Sequence, residues 1–119
     1  MRLAEKIIVM NREKKENLIK QFENFLDDML DSADISYFAD LRTKYFLKLL
    51  FDENDGYWVD FKVTYKDEVY YHQRIDLGFC TSVFADDIME SLIEKMEEEG
   101  FQNVGTDKMP TFEIPMHYR

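Results

Sequence analysis

Two neighbouring stretches of this chain alternate between apolar and polar residues, and that pattern constrains the fold more than any other feature. Tyr57, Val59, Phe61, Val63 and Tyr65 recur at every second position, and Val69, Tyr71, Ile75 and Leu77 keep the same phase. Period two marks a strand with one buried face. Only a short polar interval separates the two stretches, so they read as a β-hairpin. The phase also selects a register. A two-residue loop, Lys66-Asp67, would oppose Val63 to Tyr70 and Phe61 to His72, mixing the faces. A three-residue loop, Lys66-Asp67-Glu68, opposes Tyr65 to Val69, Val63 to Tyr71 and Val59 to Ile75. Apolar then meets apolar, and the sequence predicts this loop. It lacks the glycine such loops usually place in the left-handed region. The other face of the hairpin would oppose Trp58 to Asp76, Asp60 to Arg74, Lys62 to His72 and Thr64 to Tyr70.

Helical spacing appears elsewhere. Leu18, Ile19, Phe22, Phe25, Leu26, Met29 and Leu30 form one apolar stripe, with Asn11 as its predicted cap. Leu3 to Met10 reads either as an extension of this helix or as a short strand at Ile7-Ile8-Val9; residues 1–10 also read as an appended segment. Capping residues from Ser32 to Ser36 break the chain. A second predicted helix carries Phe38, Leu41, Tyr45, Phe46, Leu49 and Leu50, and Asp52-Glu53-Asn54-Asp55-Gly56 ends it. A third runs from about Ser82 to Glu99, with Ile88, Met89, Leu92, Ile93 and Met96 inward and Asp86 and Asp87 in its first turn. Gly100 supplies a left-handed stop, and Phe101 falls where it packs back on Met96, as in a Schellman ending. A last strand, Thr111 to Tyr118, contains Pro115 and therefore belongs at an edge. The expected fold is a single α+β domain spanning 1–119, in two layers: N-terminal helices, then β-hairpin–helix–strand. Its three-stranded antiparallel sheet has the order 2-1-3, the last strand lying beside the first.

Ten Phe and seven Tyr in 119 residues supply a core despite a net charge of −10. Cys80 is the single cysteine, which excludes an internal disulfide and fits a reducing compartment. The apolar run Ile7-Ile8-Val9-Met10 is too short for a signal-peptide core or a membrane span. The expected location is the cytoplasm.

The charge is unevenly spread. Residues 1–20 carry six basic and three acidic side chains, whereas residues 21–119 carry nine and twenty-two. A surface this acidic repels nucleic acid and anionic membranes and attracts basic partners. Asp27, Asp28 and Asp31 close the first predicted helix; Glu94, Glu97, Glu98 and Glu99 lie toward the end of the third. Carboxylates at a helix C-terminus oppose the helix dipole, each at about 0.3–1 kcal/mol. Selection for stability alone would favour lysine there, although solubility also accounts for acidic surface. Trp58, Tyr70 and Arg74 on the outer hairpin face are residue types that dominate binding hot spots, unless a helix covers them.

Catalysis finds little support. Cys80, His72 and Asp76 are the right types for a nucleophile, base and orienter. However, His72 and Asp76 would stand about 13 Å apart along a strand. Two histidines and one cysteine make no zinc pattern. The run ending at Gly56 is not a calcium loop, because Phe51 and Lys62 occupy the first and twelfth ligand positions. No cofactor or metal is expected. The basic residues Arg2, Lys6, Arg12, Lys14, Lys15 and Lys20 read as a solvated helix face, or as a segment that docks on a second copy.

The sequence therefore predicts a small acidic non-enzymatic protein that inhibits or neutralises a basic nucleic-acid-handling partner, a nuclease or nucleoprotein. Immunity proteins, antitoxins and phage anti-defence proteins that mimic DNA work in this manner. The alternatives are a homo-oligomeric structural or regulatory protein using its basic N-terminal segment, such as a homodimer, and a small-ligand or nucleic-acid binder acting through the hairpin face. Direct nucleic-acid or membrane binding is not expected of the main reading.

Overall fold

A computed structural model describes residues 3–32, 42–106 and 110–113. The described chain forms helix α1 (Leu3–Ser32), strands β1 (Thr43–Asp52), β2 (Gly56–Tyr65) and β3 (Glu68–Gly78), helix α2 (Ser82–Glu98), and short strands β4 (Gln102–Asn103) and β5 (Thr111–Glu113). The fold is α+β, and the sheet is antiparallel, in the order β3-β2-β1-β5-β4.

This corrects the expected sheet. Five strands are present among the described residues, not three in the order 2-1-3, and the last strand pairs with β1 rather than with the hairpin's first strand. The cause is the segment expected as a second helix. Residues Thr43–Asp52 are a strand that pairs with β2 along its whole length, from Thr43 opposite Tyr65 to Asp52 opposite Gly56. Tyr45 and Leu47 alternate into the core and Leu49 packs against it. Phe46 and Leu50 occupy the other face, so apolar residues on both faces filled in a false helical stripe. Phe38 and Leu41 lie outside the described residues. The acidic run expected to end a helix instead makes the β1–β2 turn. There the Asn54 N–H donates to Asp52 Oδ1 at 2.7 Å, and Gly56 takes φ +80°. A Cβ on Gly56 would stand 2.4 Å from the backbone oxygen of Gly78. The turn needs glycine both for its φ and for this approach.

The β2–β3 hairpin keeps the predicted register over most of its length. Val59 opposes Ile75, Val63 opposes Tyr71, Asp60 opposes Arg74 and Trp58 opposes Asp76. The three-residue loop is not formed. Tyr65 opposes Glu68 and Thr64 opposes Val69, so the loop is Lys66-Asp67, with φ of 52° and 67°. A bulge at Tyr70 absorbs the odd residue and restores the apolar phase. Val69 is consequently 54% exposed instead of facing Tyr65.

α1 runs through Asn11, which is exposed within the helix and does not cap it. Leu3 to Met10 is helix rather than strand. Leu18, Phe22 and Leu26 are its buried stripe. α2 starts on Thr81, whose hydroxyl accepts the Phe84 N–H at 3.1 Å. Asp86 and Asp87 fall just past its first turn. The Schellman ending forms: Phe101 N–H donates to Met96 O at 3.1 Å and Gly100 N–H to Glu97 O at 3.0 Å, with Gly100 at φ +97°. Phe101 then turns onto Tyr45, ring centroids 4.7 Å apart. β5 ends at Glu113 and β4 lies outside it, so β5 is not an edge; residues 114–118 of the expected strand, with Pro115, lie outside the described residues.

Both helices pack on one face of the sheet. Leu18, Phe22 and Leu26 from α1 and Ile88, Leu92 and Met96 from α2 share one core with Val59, Phe61, Val63, Leu47 and Phe112. Phe22 meets Phe61 edge-on at 5.2 Å.

Candidate functional site

The relative direction of the two helices decides how the acidic residues are arranged. Lys15 Nζ lies 3.0 Å from Asp87 Oδ2, and Lys95 Nζ lies 3.2 Å from Glu23 Oε1. The second pair stands eight residues beyond the first on both helices. α1 and α2 therefore run side by side in the same direction, advancing about 12 Å between the pairs. Parallel packing puts both C-termini at the same end of the molecule.

One turn past Glu23 come Asp27 and Asp28; one turn past Lys95 come Glu98 and Glu99. Two clusters 66 residues or more apart in sequence thus share one end of the fold. Asp27, Asp28, Glu94, Glu97, Glu98 and Glu99 are all exposed. Asp31 lies in α1, its side chain outside the described residues. Lys95 sits at the base of this end and binds Glu99 at 3.2 Å as well as Glu23. Hydrogen bonds to Glu99 and Glu23 hold its ammonium above the ordinary lysine range, with burial a smaller opposing effect. The acidic end reaches the sheet at Tyr71. Its hydroxyl donates to Phe25 O at 3.1 Å, and its pKa is raised by burial and then by the Asp28 charge. Two aligned helix C-termini add their own partial negative charge to the same region.

The hairpin face lies on the opposite side of the sheet from the helices. Trp58 is half-buried there, with the Arg74 guanidinium 4.2 Å from its ring centroid. Arg74 Nε also binds Asp76 Oδ1 at 2.5 Å, while Asp60 Oδ1 lies 3.4 Å from His72 Nε2. Asp60 and Arg74 are thus backbone partners whose side chains turn to other groups. Thr64 opposes Val69 rather than Tyr70; the Tyr70 side chain lies outside the described residues. Lys62 stands opposite His72 on this face as expected, and Phe46, Lys48 and Leu50 join it through β1, none of those three singled out for it by sequence reasoning. The strand alternation Tyr45, Leu47, Leu49 was the signal that could have found them.

The nucleophile set does not assemble. His72 holds Asp60, Asp76 holds Arg74, and Cys80 stands beside the α2 cap with its thiol pushed up by burial against a smaller lowering by Lys14. No group of three or more His, Cys, Asp or Glu among the described residues could hold a metal ion. No described helix is long and apolar enough to cross a membrane. Comparison with family models, curated proteins and solved structures finds no match.

Proposed function

We propose that this protein is a non-enzymatic binding protein whose acidic end occupies a basic, nucleic-acid-handling surface on a partner protein. One observation carries the reading: the parallel packing of α1 and α2 gathers Asp27, Asp28, Glu97 and Glu98 at a single end, the two glutamates in the last turn of α2 where the helix dipole disfavours them. Dispersed carboxylates serve solubility anywhere on a surface. Carboxylates collected where they cost stability favour a role in recognition, because a concentrated negative field speeds encounter with a basic partner and excludes acidic ones. The action is occlusion: the partner's cationic groove is filled by carboxylates in place of phosphates.

The test is comparative capture from the native host with the wild-type chain and a variant carrying Lys at positions 27, 28, 97 and 98, followed by mass spectrometry. The expected result is a basic nuclease or nucleoprotein held by the wild type, released as salt rises, and lost in the variant. Equal retention by the two proteins, or recovery of the chain alone, would refute the reading.

A further inference from the structure

The outer face of the sheet carries a second feature, independent of the acidic end. Between β1, β2 and β3 lies a concavity of about 310 Å³. Its apolar lining comes from Phe46, Leu50 and Pro110, and its polar lining from Lys48, Lys62, Asp60 and His72. Neither helix reaches it, because both pack on the other face.

Its charge is the reverse of the molecule's. The lining holds two lysines against one carboxylate, Asp60, which stands across from Lys48 in the strand register and lies 3.4 Å from His72 Nε2. Lys62 Nζ lies 5.1 Å from the Phe46 ring centroid, so a cation stands directly over the apolar floor. Beside the concavity the pattern repeats, Arg74 over Trp58, with Trp58 directly across from Leu50. In a chain of net charge −10, a cationic rim over an aromatic floor is a local exception. Its volume is at the lower end of those that hold small molecules, enough for a fused pair of rings and too small for a folded segment.

The geometry points to a binding site for a small organic anion with a flat apolar body, of the aryl carboxylate or sulfonate class. The body lies on Phe46, Leu50 and Pro110, and the anionic group meets Lys48 and Lys62. Charge complementarity selects this occupant. A polyanion such as nucleic acid would be repelled by the acidic remainder of the surface, whereas a single negative charge feels mainly the two nearby ammonium groups.

Trp58 is the single tryptophan of the chain, so the donor lies on this face, and the lysine variants below locate the acceptor. The test titrates the full chain with 1-anilinonaphthalene-8-sulfonate and follows energy transfer from Trp58. N-phenyl-1-naphthylamine serves as the uncharged counterpart. Saturable one-to-one transfer is expected with the sulfonate. It should weaken about tenfold or more in Lys48→Gln with Lys62→Gln, the loss of charge-assisted contacts. Lys48→Arg with Lys62→Arg should retain it, and Asp27→Asn with Asp28→Asn should leave it unchanged. Circular dichroism checks that each variant is folded. The proposal is overturned by equal binding of the uncharged probe, by an unchanged affinity in the glutamine variant, or by absence of saturable transfer. It is equally overturned if binding requires removal of residues 114–119, since the concavity would then belong to the chain's own segment.

Discussion

The two ends of this molecule are built to different standards. At one end are the β1–β2 turn and the start of α2. There Gly56 sits where the backbone needs positive φ and close approach, Thr81 caps the helix, and Lys15 binds Asp87 across to α1. At the other end are the β2–β3 turn and the ends of both helices. There Lys66 and Asp67 hold left-handed φ without a glycine, and carboxylates crowd two helix C-termini. One end follows the rules for turns and helix caps, although it exposes Phe51, Phe79 and Val83. The other departs from them in its glycine-free left-handed turn and in its surface charge, although α2 still closes on the Gly100 Schellman motif. The carboxylates gathered at one end are the feature on which the proposed recognition role rests.

Substitutions that move each end toward the other's standard break or sharpen this contrast. The largest effect belongs to the well-built end. Gly56→Ala should cost about 3 kcal/mol in denaturant unfolding, because alanine is strained at this φ and its methyl meets the Gly78 backbone. A loss no greater than a few tenths would mean that the two turns are equally tolerant. Thr81→Ala should cost about 1 kcal/mol through loss of the hydroxyl that accepts the Phe84 N–H. At the other end the sign should reverse. Lys66→Asn with Asp67→Gly places the preferred pair in a turn that needs two positive φ values, and should raise stability by roughly 0.5–1 kcal/mol. An unchanged or lowered melting temperature in that variant would show that the loop is already near its optimum.

What could be read from the sequence was what local chemistry decides. The span of α2 followed from its apolar stripe and Gly100, although the cap Thr81 was passed over. The hairpin register followed from alternation through Val63 and Tyr71. The turn was misjudged because a bulge at Tyr70 reconciles a two-residue loop with a three-residue register, and Val69, apolar yet exposed, hides the change of phase. β1 was misread because Phe46 and Leu50 are apolar on the face away from the helices, which hides period two behind a helical stripe. That face also forms the concavity, so the residues that obscured the strand are those that give it a surface of interest. For the acidic residues, sequence located each cluster but not their union. Their meeting depends on two helices packing in parallel across intervening strands, a long-range fact that no window of sequence contains.

The smallest stability effect bears on the central claim. Replacing Asp27 and Asp28 with Asn and Glu97 and Glu98 with Gln leaves Lys95 its partners Glu23 and Glu99. It removes four exposed charges, of which Glu97 and Glu98 stand in the last turn of α2 and oppose its dipole at about 0.3 kcal/mol each. Unfolding free energy and affinity for the captured basic partner should be measured on the same preparation of this fourfold variant. The account predicts a gain of about 0.5 kcal/mol in stability together with about tenfold or greater weakening of binding at low salt. Unchanged affinity, whatever the stability, would contradict it.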